Sequence, residues 1–184
     1  KTLSKNIHLT INQYQKMSKD KNPMVLYSLA CNHSMPSIIL DEMCEHQVPV
    51  DILKALAGNP NTTYFGLNKL INIDNKNLCE IIANRSDLSY LSLLLLSFNR
   101  NRYTRLNVAK NSLTKAEIIN DFSRDPFFKV REVVAANLLV SDESIDALSK
   151  DESTAVLLAL ITNKKTSESI IDGLCVSGNV QVKI

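Results

Sequence analysis

An all-α repeat architecture is predicted by three observations. An apolar pattern recurs every 26 or 27 residues along the chain, asparagine stands at the same place in almost every recurrence, and glycine and aromatic residues are scarce. The 184 residues are 45% hydrophobic and 22% charged, a balance that favours a folded chain over a disordered one. Four glycines, five tyrosines, five phenylalanines and no tryptophan are too few for a sandwich or barrel with many tight turns.

The anchors of the period are Asn6, Asn32, Asn59, Arg85, Asn111, Asn137 and Asn163, separated by 26, 27, 26, 26, 26 and 26 residues. Three residues before them stand Leu3, Leu29, Leu56, Ile82, Val108, Val134 and Leu160, and two before them Ser4, Ala30, Ala57, Ala83, Ala109, Ala135 and Ile161. Eight residues after the anchors come Tyr14, Leu40, Leu67, Leu93, Ile119, Ile145 and Ile171, then, three further on, Met17, Met43, Leu70, Leu96, Phe122, Leu148 and Leu174.

Each unit reads as two short helices. The first begins near Asp20, Asn99, Asp125, Asp151 or Ser177, a column of residues whose side chains can accept the unpaired amides of a first turn. Val25, Thr104, Val130, Val156 and Val182 open its apolar stripe, and the large and small apolar columns continue that stripe at helical spacing. The helix stops at asparagine, which tolerates left-handed backbone angles and bonds through both ends of its amide. Stacked asparagines therefore predict a ladder between units, interrupted at Arg85. Ser or Thr opens the second helix in several units, most clearly in the capping box Thr114-Lys115-Ala116-Glu117.

Helices this short do not stand alone, and a unit of this length cannot bury its own apolar face. Stacked neighbours share one core, so the fold class is a helical-repeat solenoid of about seven two-helix units forming a single domain over residues 1–184. Lys1 enters at the end of a first helix and Ile184 falls just after Val182, which predicts a piece of a longer array with both ends uncapped. No signal-like segment follows Lys1.

The segment Asp125-Pro126-Phe127-Phe128-Lys129-Val130-Arg131, followed by Val134-Ala135-Ala136-Asn137, resembles the variant leucine-rich repeat, a bacterial relative in style of the HEAT-type repeats. The same frame covers essentially the whole chain. The resemblance implies a right-handed superhelix alternating α- and 3₁₀-type helices, in a family of binding scaffolds. The Val-Arg pair stands at Val130-Arg131 with Thr104-Arg105 a near match, while Leu26, Leu53, Cys79 and Leu157 hold the arginine position elsewhere.

Chemistry is sparse. HExxH, P-loop, GxSxG and GxGxxG motifs are absent, so neither an enzyme nor a cofactor nor a small-molecule substrate is expected. Cys31-Asn32-His33 and Cys44-Glu45-His46 contain zinc-type ligands but match no standard zinc spacing, and no metal is expected. The four cysteines suggest no disulfide framework, which fits a reducing, cytoplasmic setting. The longest apolar stretch, Leu88 to Phe98, is eleven residues, short of the roughly 18 a membrane span needs, and no membrane partner is expected.

Function is sought where a column departs from its habit. Nine residues past the anchors stand Gln15, Asp41, Asn68, Asn120, Asp146 and Asp172, a water-facing column broken by Leu94. Leu95 breaks the next column in the same way. These two predict a protein-binding patch, with Phe127 and Phe128 as further partner-binding anchors, unless that helix is rotated to bury the leucines. Phe127 replaces the Asn or Ser of its column and Phe128 follows it, inside a segment that carries Arg100, Arg102, Arg105, Lys110, Lys115, Arg124, Lys129 and Arg131 against three acids. Against a chain net charge of only +2, this concentration of bases beside aromatic rings predicts polyanion or nucleic-acid binding, the alternative to a non-enzymatic protein scaffold. The competing reading is a solvated face in which Arg131 pairs with Asp125.

Overall fold

A computed structural model of the chain describes residues 9–73 and 75–176. Asn6 with its neighbours Leu3 and Ser4, and the segment from Ser177 through Val182 to Ile184, lie outside the described residues, as do both expected open ends. Among the described residues every regular element is helical: thirteen α-helices of six to nine residues and one 3₁₀ turn. Two compact units are formed, Lys1–Leu96 and Ser97–Ile184.

In the first unit, α2 (Pro23–Ala30), α4 (Val50–Gly58) and α6 (Lys76–Ala83) are the first helices of successive repeats, and α1 (Ile11–Met17), α3 (Ser37–Met43), α5 (Tyr64–Ile71) and α7 (Tyr90–Ser97) are the second. Helix α2 packs on α4 and α4 on α6, while α3 packs on α5. The second unit repeats the plan. Its first helices α8 (Arg102–Lys110), α10 (Phe128–Ala136) and α12 (Thr154–Thr162) pack in series, with α9 (Ala116–Asp121), α11 (Asp142–Leu148) and α13 (Glu168–Val176) as second helices. These second helices are α-helical. The 3₁₀ form implied by the resemblance occurs, among the described residues, only at Phe122–Arg124, where α9 tightens into its exit turn.

The core follows the periodic columns. Leu29, Leu56, Ile82, Val108, Val134 and Leu160 have no exposed surface, the alanines from Ala30 to Ala135 are buried beside them, and Leu40, Leu67, Leu93, Ile119 and Ile145 close the core from the second helices. Each such side chain contributes about 1.5–3 kcal/mol of burial, which is how helices of two turns persist. Gly66 marks the closest approach of α5 to α3: a Cβ there would sit 2.5 Å from Asp41 Oδ1 and 2.9 Å from Thr62 Cγ2.

The asparagine anchors shape their turns through the amide oxygen, and Asn59 and Asn163 also join repeats through the amide nitrogen. Oδ1 accepts the N–H two residues on, at 2.8–3.0 Å, in the turns of Asn32, Asn59, Asn111, Asn137 and Asn163. The backbone of Asn59, Asn111, Asn137 and Asn163 is extended (φ −75°, ψ 123° at Asn59; φ −80°, ψ 122° at Asn163), so at these four the expected left-handed stop is replaced by this side-chain turn. The Asn59 amide nitrogen donates to Ala30 O and Asn32 O of the preceding repeat at 2.8 and 3.1 Å, and that of Asn163 to Ala135 O and Asn137 O at 2.6 and 3.1 Å. Arg85 does not interrupt the ladder, as its sequence had suggested. Its Nη1 donates to Ala57 O and Asn59 O, the same two positions, at 2.9 and 2.7 Å. The guanidinium has no acceptor for its own turn, but Asp87 two residues on receives its Nε and Nη2 at 2.8 and 2.7 Å.

Two expected caps are corrected. The column of Asp20, Asn99, Asp125 and Asp151 lies two residues too early: these side chains accept the N–H of Asn22, Asn101, Phe127 and Ser153, shaping the turn that leads into the helix. The N-caps are two residues later, with Asn22, Asn75 and Asn101 accepting from the first-turn amides. The Thr114 capping box is not formed either. Thr114 is buried and donates to Val108 O at 2.6 Å, as Thr62 does to Leu56 O and Thr166 to Leu160 O, both at 2.7 Å. In the intervening repeats the same position is filled by buried Met35, Leu88 and Val140.

Asn59 is fully buried, so Asn59→Ala strands two buried carbonyls and is expected to cost about 2–3 kcal/mol in urea unfolding; an unchanged midpoint would remove the ladder as a source of stability. Thr104 sits where Val130 and Val156 sit, and its Oγ1 is buried without a partner. Thr104→Val is expected to raise stability by about 1 kcal/mol in the same assay, whereas a loss would mean the hydroxyl is satisfied in solution.

Candidate functional site

The arginine position of the repeat is a core position. Leu26, Leu53, Cys79 and Leu157 are buried there, and a guanidinium in their place must carry its charge to a partner. Arg105 Nε and Nη2 grip both oxygens of Asp125 at 2.6 and 3.1 Å, and its Nη1 donates to Asn99 O and Arg100 O at 2.8 and 3.2 Å. Arg131 does the same one repeat on, holding Asp151 at 2.6 and 3.0 Å and Asp125 O at 2.7 Å. Arg131 thus takes Asp151, not Asp125, as its carboxylate: the side chain reaches forward to the entry turn of the following first helix. Burial pushes the Asp151 carboxyl up, but the Arg131 fork and the Ser153 amide outweigh it and hold the group below its ordinary value. The Arg131 guanidinium is held above its own, chiefly by the hydrogen bond to Asp151. Both arginines are therefore spent inside the stack.

With Asp125 and Asp151 neutralised, the entry ends of α8 and α10 keep a surplus of positive charge. Arg100, Arg102 and Lys129 are exposed, and none of them forms an ion pair among the described residues. The Arg102 guanidinium lies 4.9 Å from the ring centroid of Phe127 and 5.2 Å from that of Tyr103. Phe127 in turn meets Tyr103 edge-on at 5.9 Å and Phe128 at 5.7 Å. Phe127 is the N-cap residue of α10 and, being apolar, accepts no amide. An open cleft of ≈ 460 Å³ beside it is lined by Arg100, Asn101, Arg102, Arg105, Pro126 and Phe127. Tyr103 is the member of this cluster that column reasoning missed, because it occupies no habitual column; only its contact with Phe127 reveals it.

The remaining bases of the segment are elsewhere. Lys110 ends α8, eight residues and roughly 12 Å beyond Arg102. Lys115 precedes α9, and Arg124 lies in the 3₁₀ turn against a small polar cavity lined by Asn120, Ser141 and Ser144. The eight predicted bases are thus the ion-paired Arg105 and Arg131, the exposed Arg100 and Arg102 that line the cleft with Arg105, Lys129 in the first turn of α10, and three dispersed.

In the first unit, Leu95 is exposed and Leu94 half-buried. The column of Leu94 is not simply water-facing, because Asp41 there accepts from Thr63 N and Oγ1 at 2.9 and 2.5 Å, and Asn120 accepts from Ser141 N at 2.8 Å. Polar residues in this column tie one second helix to the cap of the next. Leu95 is accompanied by Leu91 one turn before it on the same helix face. Leu91 belongs to a column six residues past the anchors in which Ile38, Phe65 and Leu91 are 55%, 70% and 53% exposed. In the second unit that column holds Glu117, Glu143 and Ser169. Ile38 and Phe65 line one cavity of ≈ 490 Å³ together with Asp41, Tyr64 and Lys69. The period makes this stripe visible in the sequence once the sixth column is compared between repeats.

The zinc-type residues are not gathered. Cys31 is exposed, whereas Cys44 is buried and its thiol is pushed up to about 12 by burial and by Asp41. Among the described residues no three His, Cys, Asp or Glu side chains converge, and no helix is long and apolar enough to cross a membrane.

Because the Asp151 value is depressed in the fold, its contribution to stability is complete above the unfolded carboxylate range, about pH 4, and disappears as the pH falls through the folded value. Unfolding midpoints between about pH 5 and 2 are expected to fall less steeply for Asp151→Asn than for the wild type; parallel curves would show that the pair does not bear on acid stability. The chain matches no protein-family model, no curated protein and no solved structure.

Proposed function

We propose that this chain is a non-enzymatic scaffold, a right-handed solenoid of about seven variant leucine-rich or HEAT-like repeats, that holds another protein on the apolar stripe of its second helices. The observation that carries the reading is the sixth column: Ile38, Phe65 and Leu91 stand exposed at equivalent places in three consecutive repeats, and Leu95 extends the stripe along α7. An isolated exposed leucine is ordinary on a protein surface, but a register-matched series is not a product of chance exposure. Buried alone, none of these side chains would do anything for its own repeat, since the core columns are already filled. Docking them against a complementary apolar surface removes them from water at about 25 cal/mol per Å² before the costs of association. The identical period and the carbonyl-reading ladder within each unit support the repeat assignment.

The partner contemplated is a protein whose contact face is apolar. Phe65→Asp combined with Leu91→Asp changes only exposed positions and is expected to leave the helical circular dichroism intact. In affinity capture from native cell extract, a partner held by the wild type is expected to be lost from the double variant by at least about tenfold. Equal recovery by both proteins removes this stripe as the contact.

A further inference from the structure

We propose that the cleft at the entry ends of α8 and α10 binds single-stranded nucleic acid, with bases stacking on Tyr103, Phe127 and Phe128 and phosphates held by Arg100, Arg102 and Lys129. This site belongs to the second unit and does not depend on the scaffold reading of the first. Three properties coincide here. The rings of Tyr103 and Phe128 are accessible, at 47% and 39%, and both pack edge-to-face on Phe127. Arg102 lies over two of those rings, so its guanidinium is held as a further planar, charged platform rather than a free tether. The acids that would cancel the charge, Asp125 and Asp151, are each gripped by a half-buried arginine.

The local sequence favours a ligand over a packing role for Phe127. Asn22, Asn75 and Asn101 cap their helices from this column, Pro49 and Ser153 do not, and Phe127 is the one aromatic residue among the described members of the column. Its ring stays only partly buried and gathers Tyr103, Phe128 and Arg102 around it at the surface. Single strands rather than duplex fit the cleft, because stacking on side chains needs bases whose faces are not already covered by neighbouring pairs. The ≈ 460 Å³ of space falls within the about 300–1,000 Å³ typical of binding clefts.

The test is fluorescence anisotropy with labelled oligo-dT, oligo-U and a duplex of the same length, titrated with salt from about 50 to 200 mM. Single strands are expected to bind more tightly than the duplex, with a log–log salt slope of about −2 for three phosphate contacts. Phe127→Asn restores the residue of the sister repeats, so the fold is retained while a stacking ring is lost; affinity is expected to drop about tenfold or more with no fall in melting temperature. Arg102→Gln is expected to weaken binding and flatten the salt slope, and Lys110→Glu, at the far end of α8, to change little. A preference for oligo-dT or oligo-U reports on the 2′-hydroxyl and the thymine methyl together and supports the site in either case. Absence of single-strand binding at the lowest salt, tighter binding of the duplex, or unchanged affinity in Phe127→Asn each overturns it.

Discussion

At Asn59, Arg85 and Asn163, successive repeats are joined by a side chain of one repeat reading two backbone carbonyls of the repeat before it. A first helix of eight or nine residues leaves its last carbonyls without intrahelical donors, and in a stack they are shut away from water. Asn59 and Asn163 supply the missing donors from their amides, and Arg85 supplies them from its guanidinium. The other end of the asparagine amide simultaneously folds the turn into the second helix. A single side chain therefore sets both the turn within its repeat and the distance to its neighbour, which is why the residue type recurs so faithfully.

Around that ladder lie two others with the same logic. Asp41 and Asn120 accept from the cap residue of the next second helix, and Thr62, Thr114 and Thr166 return a hydroxyl to their own first helix. In the second unit the buried Arg-to-Asp pairs add a charged version of the same forward reach, in a column that is otherwise plain hydrocarbon. A buried ion pair of this kind is costly to break and contributes more to register than to net stability. It also has a surface consequence: by absorbing the local carboxylates it leaves the nearby exposed arginines without counterions.

The two candidate surfaces differ in how they arise. On the first unit, an apolar stripe comes from repetition, one exposed side chain per repeat in a fixed column. On the second, the same column is acidic or polar, and the chemistry is gathered instead at the helix entries by one substitution, Phe127 for a capping residue. A periodic helical packing tolerates both, because exposed positions carry little of the packing energy and are free to vary from repeat to repeat.

The helical class, the period and the core columns were legible in the sequence, because burial in a two-helix repeat demands large apolar, small apolar and turn residues at invariant spacing, as Leu56, Ala57 and Asn59 illustrate. The prominence of Phe127 and of the basic segment could also be read there, since both are departures from a visible rule. What only the tertiary structure decided was the pairing. Arg85 was out of place by residue type yet performs the asparagine's task, Thr114 has the spacing of a cap yet bonds inward, and Arg131 passes over Asp125 to reach Asp151. Side-chain reach, direction and competition for buried acceptors are three-dimensional quantities. They separate the arginines of one basic segment into those paired within the repeat packing, Arg105 and Arg131, and those, such as Arg102 over Phe127, left exposed.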